Sequence, residues 1–234
     1  MRRFHTAVLC FLVLLAPSVF AQNTTVLHCD RLLDVREGRY IINATVLIQN
    51  DKIESVSTGG VTAPTGARVI TAPGTCFPGL MDVHVHLTSD PEEGGFSYAR
   101  LGVSVPRETI FGAKNARRTL MSGFTSVRNV GAKGYSDVAL RDGINAGDIP
   151  GPRMQVSGPA LTITGGHGDD NLLPFEFHHF GQGVANGPWA GREKVRENVK
   201  YGADLIKVLA SGGVLSKEDQ AGAPQFTEEE LKRS

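Results

Sequence analysis

The sequence predicts an α/β protein in which strand–helix units follow a short all-β segment, and three observations carry that reading. From residue 77 onward, apolar runs of strand length alternate with segments of helical length. Residues 25–72 instead hold only short β-rich runs separated by Gly, Asn-Asp and Gly-Gly. Between them, residues 78–87 read PGLMDVHVHL, which sets two histidines two positions apart in an otherwise apolar strand.

The elements follow in chain order. Arg2 and Arg3 precede the apolar run 7–16, and Val19-Phe20-Ala21 offers small residues for cleavage, so 1–21 is expected to be a signal peptide cut before Gln22. The run is well short of the ~20 residues a spanning helix needs, so no membrane span is expected after its removal. An exported protein, periplasmic or extracellular, is the consequence. Cys10 leaves with the leader, whereas Cys29 and Cys76 would meet an oxidising setting, and the sequence leaves both a disulfide and two buried thiols open. Asn23-Thr24-Thr25 and Asn43-Ala44-Thr45 match the glycosylation pattern, which matters only in a eukaryotic secretory pathway.

Residues 22–76 are expected to form a small β domain with strands at 25–28, 40–49, 52–57 and 68–71. Ile41, Val46, Ile48, Ile53 and Val56 would be its buried side, and 72–77 the linker to the next domain. Over 77–234 the expected order is strand 81–87, helix 107–122, strand 125–130, helix 136–146, strand 154–157, helix 192–201 and strand 205–210. Gly123, Gly147 and Gly202 stop the three helices, and Thr227 with Glu230 three residues on announces a fourth. Four such units fit a closed eight-stranded barrel or an open doubly wound sheet, but no Gly-x-Gly-x-x-Gly follows any strand.

Two strands carry chemistry. With a period of two, Asp82, His84 and His86 share one face of the first strand and Val83, Val85 and Leu87 the other. Two imidazoles about 7 Å apart on one side of a rigid strand are half of a divalent metal site. Exposed histidines on an edge strand would be the bland outcome, but Pro78-Gly79 and the aliphatic second face favour a strand covered by helices. In 204–213, DLIKVLASGG, one lysine, Lys207, stands among aliphatics, which is costly unless its charge is paired, its pKa falls or it is modified. A lysine reaching out of a strand end is the competing reading.

The 78–87 run resembles the opening barrel strand of the amidohydrolase superfamily, and Lys207 matches the fourth-strand lysine that many of its members carboxylate. The succession from Asn186 through KYGADLIKVLASGGV to Val214 is similar to the imidazolonepropionase-like and Xaa-Pro dipeptidase, or prolidase-like, branch. The resemblance implies a TIM-type (β/α)8 barrel, of which 77–234 supplies about four βα units, preceded by a small β-sandwich, of which 22–76 is a portion. At 158 residues, 77–234 is well below the about 250 of a whole barrel.

It further implies that His84 and His86 ligate one of two divalent metal ions, with zinc the expected ion, and that carboxylated Lys207 bridges both. Lys207 is thus the catalytic residue expected in this half. Asp82 would orient an imidazole from behind the ligands. The family's later histidines and proton-shuttling aspartate have no counterpart in these 234 residues. The long 159–190 connection, with six glycines, leaves the strand end where barrel enzymes keep their sites, and His167 is its candidate for touching substrate. His178-His179 and Asp169-Asp170 read as solvated loop residues. Asn129 departs from the Arg-Asp that relatives commonly show at the end of the second strand.

The implied activity is hydrolysis of a carbon–nitrogen bond, in a dipeptide or N-acyl amino acid. The alternatives are a cyclic amidohydrolase or deaminase of the same superfamily, against which Lys207 argues, and an inactive exported remnant or binding protein. With 24 basic and 24 acidic residues, bulk charge gives no reason to expect a nucleic-acid partner. The expected partner is a small-molecule or dipeptide substrate, and unpaired strand edges leave a homo-oligomer open.

Overall fold

The structure, a computed structural model, describes residues 23–90, 92, 98–214 and 220–233. The expected signal peptide lies outside them. The chain divides between Pro78 and Gly79 into two compact units.

The first unit is one four-stranded sheet: β1 (Thr24–Asp34), β2 (Arg39–Gln49), β3 (Lys52–Thr58) and β4 (Arg68–Cys76), in the order β3-β2-β1-β4. β1–β2 and β2–β3 are antiparallel, and β4 lies parallel to β1. The hairpins form where expected, because Asp34 accepts from the backbone N–H of Arg36 and Glu37 and Asn50 adopts φ 55°. Val26, Cys29, Ala44 and Val46 are buried. Ile53 and Val56, expected on the buried side, are exposed: they lie on β3, an edge strand with a neighbour on one side only. Residues 72–76, expected as linker, belong to β4, whose pairing with β1 runs on to Leu32–Cys76. No second sheet faces this one among the described residues of the unit.

Cys29 and Cys76 form a disulfide that ties β1 to β4, with Cα atoms 6.0 Å apart and 47 positions between them in sequence. In the loop-closure account, a cross-link of that span removes denatured-state entropy worth about 4 kcal/mol. Cys29→Ser with Cys76→Ser is therefore expected to lower Tm by several degrees, and a reductant should do the same to the wild-type protein and nothing to the variant.

The second unit contains β5 (Leu80–Val85), α1 (Val105–Met121), β6 (Phe124–Asn129), α2 (Ser136–Ala146), β7 (Arg153–Val156), α3 (Gly187–Lys200) and α4 (Glu228–Arg233). β5, β6 and β7 make a parallel sheet in that order. Ser104 caps α1 by accepting from Arg107 N–H, with Pro106 in the first turn. The Thr227–Glu230 box forms at the start of α4, where Glu230 also accepts from Gly187 at the start of α3. Leu87, Ala116, Val127, Leu140, Met154 and Val156 are the core, where the two helices cover the sheet.

Two expectations change here. Val83 is 59% exposed instead of covered. It lies in the stretch between Asp82 and Val85 where the pairing of β5 with β6 breaks register, so the strict alternation of faces lapses there. The strand expected at 205–210 is not a continuous strand. Asp204 N–H donates to Val156 C=O, and Leu161 and Lys207–Leu209 exchange two backbone bonds, giving an isolated parallel bridge at Val208. Between those two patches lie Gly158, at φ 64°, and Pro159, which has no N–H to offer a ladder. The unit is thus a mixed α/β fold, and no closed barrel is present among the described residues.

Candidate metal centre

His84 on β5 and His86 just past its end bring their rings together, with centroids 5.5 Å apart and planes 61° from parallel. Asp82 accepts at Oδ1 from the backbone N–H of His84, 3.0 Å away, so its carboxylate braces the strand at the ligand. The His86 ring is held from the next strand end, with Nδ1 3.4 Å from Gly131 C=O. A Cβ on residue 131 would lie 3.2 Å from His86 Cε1, and the backbone there runs at φ 143°, so glycine allows the imidazole this close approach.

The electrostatics favour neutral donors. Desolvation lowers the His86 pKa, and the positive charges of His84, Lys207 and Arg100 act in the same direction against the opposing Gly131 hydrogen bond. Lys207 is half-buried and its pKa is lowered, first by desolvation and then by the charge of Arg128. Arg128 itself donates to the C=O of Val83 on β5, which places that charge beside the histidine strand. His84 and His86 thus stand together, and the charge of Lys207 is felt at the His86 ring.

This donor set fits a divalent metal. Imidazole nitrogen is a good ligand for zinc, and a lysine of depressed pKa presents more of the neutral amine that adds carbon dioxide to become an anionic oxygen donor. Among the described residues no group of three or more His, Cys, Asp or Glu could hold a metal ion.

His167 lies in the β7–α3 connection and reaches the loop that continues from Lys207. Its backbone N–H donates to Gln225 Oε1, and its ring rests on Gly213, where a Cβ would be 2.1 Å from Cε1. Gly213 thus admits a close approach, and what approaches is this imidazole. Asp169 is a loop builder, accepting from Gly165 and Gly181 N–H, and Asp170 pairs with His179.

Two residues near the centre, Asn115 and Asp137, escaped the sequence reading, and Asn129 stood out only as a departure from the Arg-Asp of relatives. Asn115 on α1 donates to the C=O of Leu87 and of Ser89, fixing the chain just past His86. Asn129, fully buried, accepts from Leu87 N–H at 2.7 Å and donates to Gly131 C=O and Asp137 Oδ2, both at 3.2 Å. Asp137, also fully buried, accepts in turn from Gly158 N–H at 3.0 Å, and burial raises its pKa against those hydrogen bonds. One polar network therefore joins the ends of β5, β6 and β7. Beyond the departure at Asn129, the sequence signals the network only by polar side chains at strand and helix ends.

A pair of imidazoles at the end of the first strand and a desolvated lysine on the segment beyond the third are the side chains this parallel α/β unit offers for chemistry. The amidohydrolase family model matches residues 75–234, and the chain belongs to that family. Ochratoxinase of Aspergillus niger is 35% identical over 171 residues, covering 67% of this chain and 35% of that protein. Among solved structures, a Xaa-Pro dipeptidase with bound methionine superposes with TM-score 0.80 at 32% identity, covering 90% of this chain and 53% of the dipeptidase. The Aspergillus niger ochratoxinase structure gives 0.73 at 28% identity, with 90% and 52% covered. The chain thus spans about half the length of these structures and about a third of the curated ochratoxinase. Among the described residues no helix is long and apolar enough to cross a membrane.

Proposed function

We propose that this chain supplies the first half of a two-metal site in a hydrolase that cleaves carbon–nitrogen bonds, with dipeptides of the Xaa-Pro kind or N-acyl amino acids as substrates. The observation that carries the reading is the paired rings of His84 and His86, with the charge of a desolvated Lys207 felt at His86. The fold that would complete the centre is a (β/α)8 barrel, and the sheet of residues 24–76 is read as a portion of a β-sandwich. The substrate class follows the dipeptidase and ochratoxinase likenesses, and the disulfide suits an oxidising, exported setting.

Within this reading, His84 and His86 would hold one divalent ion, for which zinc is the best match, and carboxylated Lys207 would serve as the anionic oxygen donor of the two-metal centre. Bound metals supply Lewis acidity and a lower pKa for the attacking water. The chain's own residues do the rest. Asp82 fixes the backbone at His84; Gly131 C=O fixes the His86 ring; and His167, braced on Gly213, is set to donate to a substrate carbonyl or carboxylate from the long loop. Desolvation, and after it the charge of Arg128, lowers the Lys207 pKa, so more of its amine is neutral and open to carboxylation.

A panel of Xaa-Pro dipeptides and N-acyl amino acids, assayed with purified protein before and after chelation and zinc re-addition, tests the proposal. Zinc-restorable release of the free amino acid supports it. Turnover that survives exhaustive chelation would sink it.

A further inference from the structure

Each ligand imidazole has two nitrogens, and a metal can take only the one that its surroundings leave without a proton. At His86 the surroundings are set by Asn129. Its amide bonds only one way round: Nδ2 faces two acceptors, Gly131 C=O and Asp137 Oδ2, while Oδ1 faces the Leu87 N–H. Flipping it would set donor against donor at Leu87 and acceptor against acceptor at the other two contacts. Asp137 is locked in turn by Gly158 and Val138 N–H. Asn129 is therefore a rigid clamp between the residue after His86 and the carbonyl that meets His86 Nδ1.

We propose that Asn129 is a positioning residue for His86: by holding Leu87 N–H and Gly131 C=O at once, it fixes the Nδ1–H tautomer and turns Nε2 toward the metal. The proposal rests on the reading of His86 as a ligand, yet its first consequence concerns the metal-free imidazole. An aspartate at 129 could still accept from Leu87 N–H but could not donate to Gly131, and it would set a second carboxylate against Asp137. Asparagine suits this position because Asp137 already supplies the acceptor.

The test uses the full chain, labelled with ¹⁵N and free of metal, at a pH where its histidines are neutral. Long-range proton–nitrogen correlation should show His86 as the Nδ1–H tautomer in the wild-type protein; a dominant Nε2–H form there overturns the proposal without any variant. Asn129→Asp should shift His86 toward the other tautomer and weaken zinc binding by about 10- to 100-fold, the range for losing such outer support. A variant with lowered Tm but unchanged tautomer and unchanged zinc dissociation constant would show a merely structural role and overturn it. A tautomer change in a protein that binds no zinc, wild type included, would uphold the positioning and refute the ligand assignment instead.

Discussion

Lys207→Ala is expected to abolish hydrolysis, with a loss of at least about 10³-fold, equivalent to ~4 kcal/mol of transition-state stabilisation. The lysine stands among Leu205, Ile206, Val208 and Leu209, and desolvation and Arg128 already press its charge down. In that surrounding an unmodified ammonium is a liability, whereas a carbamate between two cations offsets its own burial. The check is paired: metal content and kcat should fall together in the variant, and a short carboxylic acid that can enter the vacated space should restore part of both. Lys207→Ala protein with full metal content and unaltered kcat would mean that the lysine packs and does no chemistry.

The second large effect is at the paired imidazoles. His84→Asn and His86→Asn each remove a direct nitrogen donor, so each should weaken zinc binding by more than the about 10- to 100-fold typical of losing outer support. His86→Asn should cost more, because Gly131 C=O and the Asn129 clamp pre-orient that ring, while for His84 the bracing reaches the backbone through Asp82. Titration calorimetry with zinc separates the two variants. Equal, small losses would place both histidines outside the centre.

Much of this arrangement is legible in the residues alone, for reasons that differ from element to element. The histidine pair declares itself because strand geometry puts alternate residues on one side, although the rings, 5.5 Å apart, stand closer than the about 7 Å of the strand repeat. α2 is found at its full extent, 136–146, because Gly147 at φ 82° ends it in the way its position announces. Lys207 stands out because a cation among aliphatics needs a reason. The fourth strand is less legible. Its residues have the right pattern, but pairing needs a neighbour, and Gly158-Pro159 breaks the ladder on that side. Val83 follows the same logic, since alternation predicts a face only where register holds. The Asn129–Asp137 network was out of reach for another reason: it is assembled from three strand ends distant in sequence. No local pattern marks Asn129 as the partner of Leu87, 42 positions away.

The measurement closest to the central claim is native mass spectrometry of the protein prepared with zinc and bicarbonate, alongside its Lys207→Ala variant. The account predicts that the wild-type protein carries bound zinc together with the mass of one carbon dioxide, and that the variant loses both. Zinc retained by both proteins, with no carbon dioxide on either, would contradict the role given to Lys207 and with it the two-metal centre.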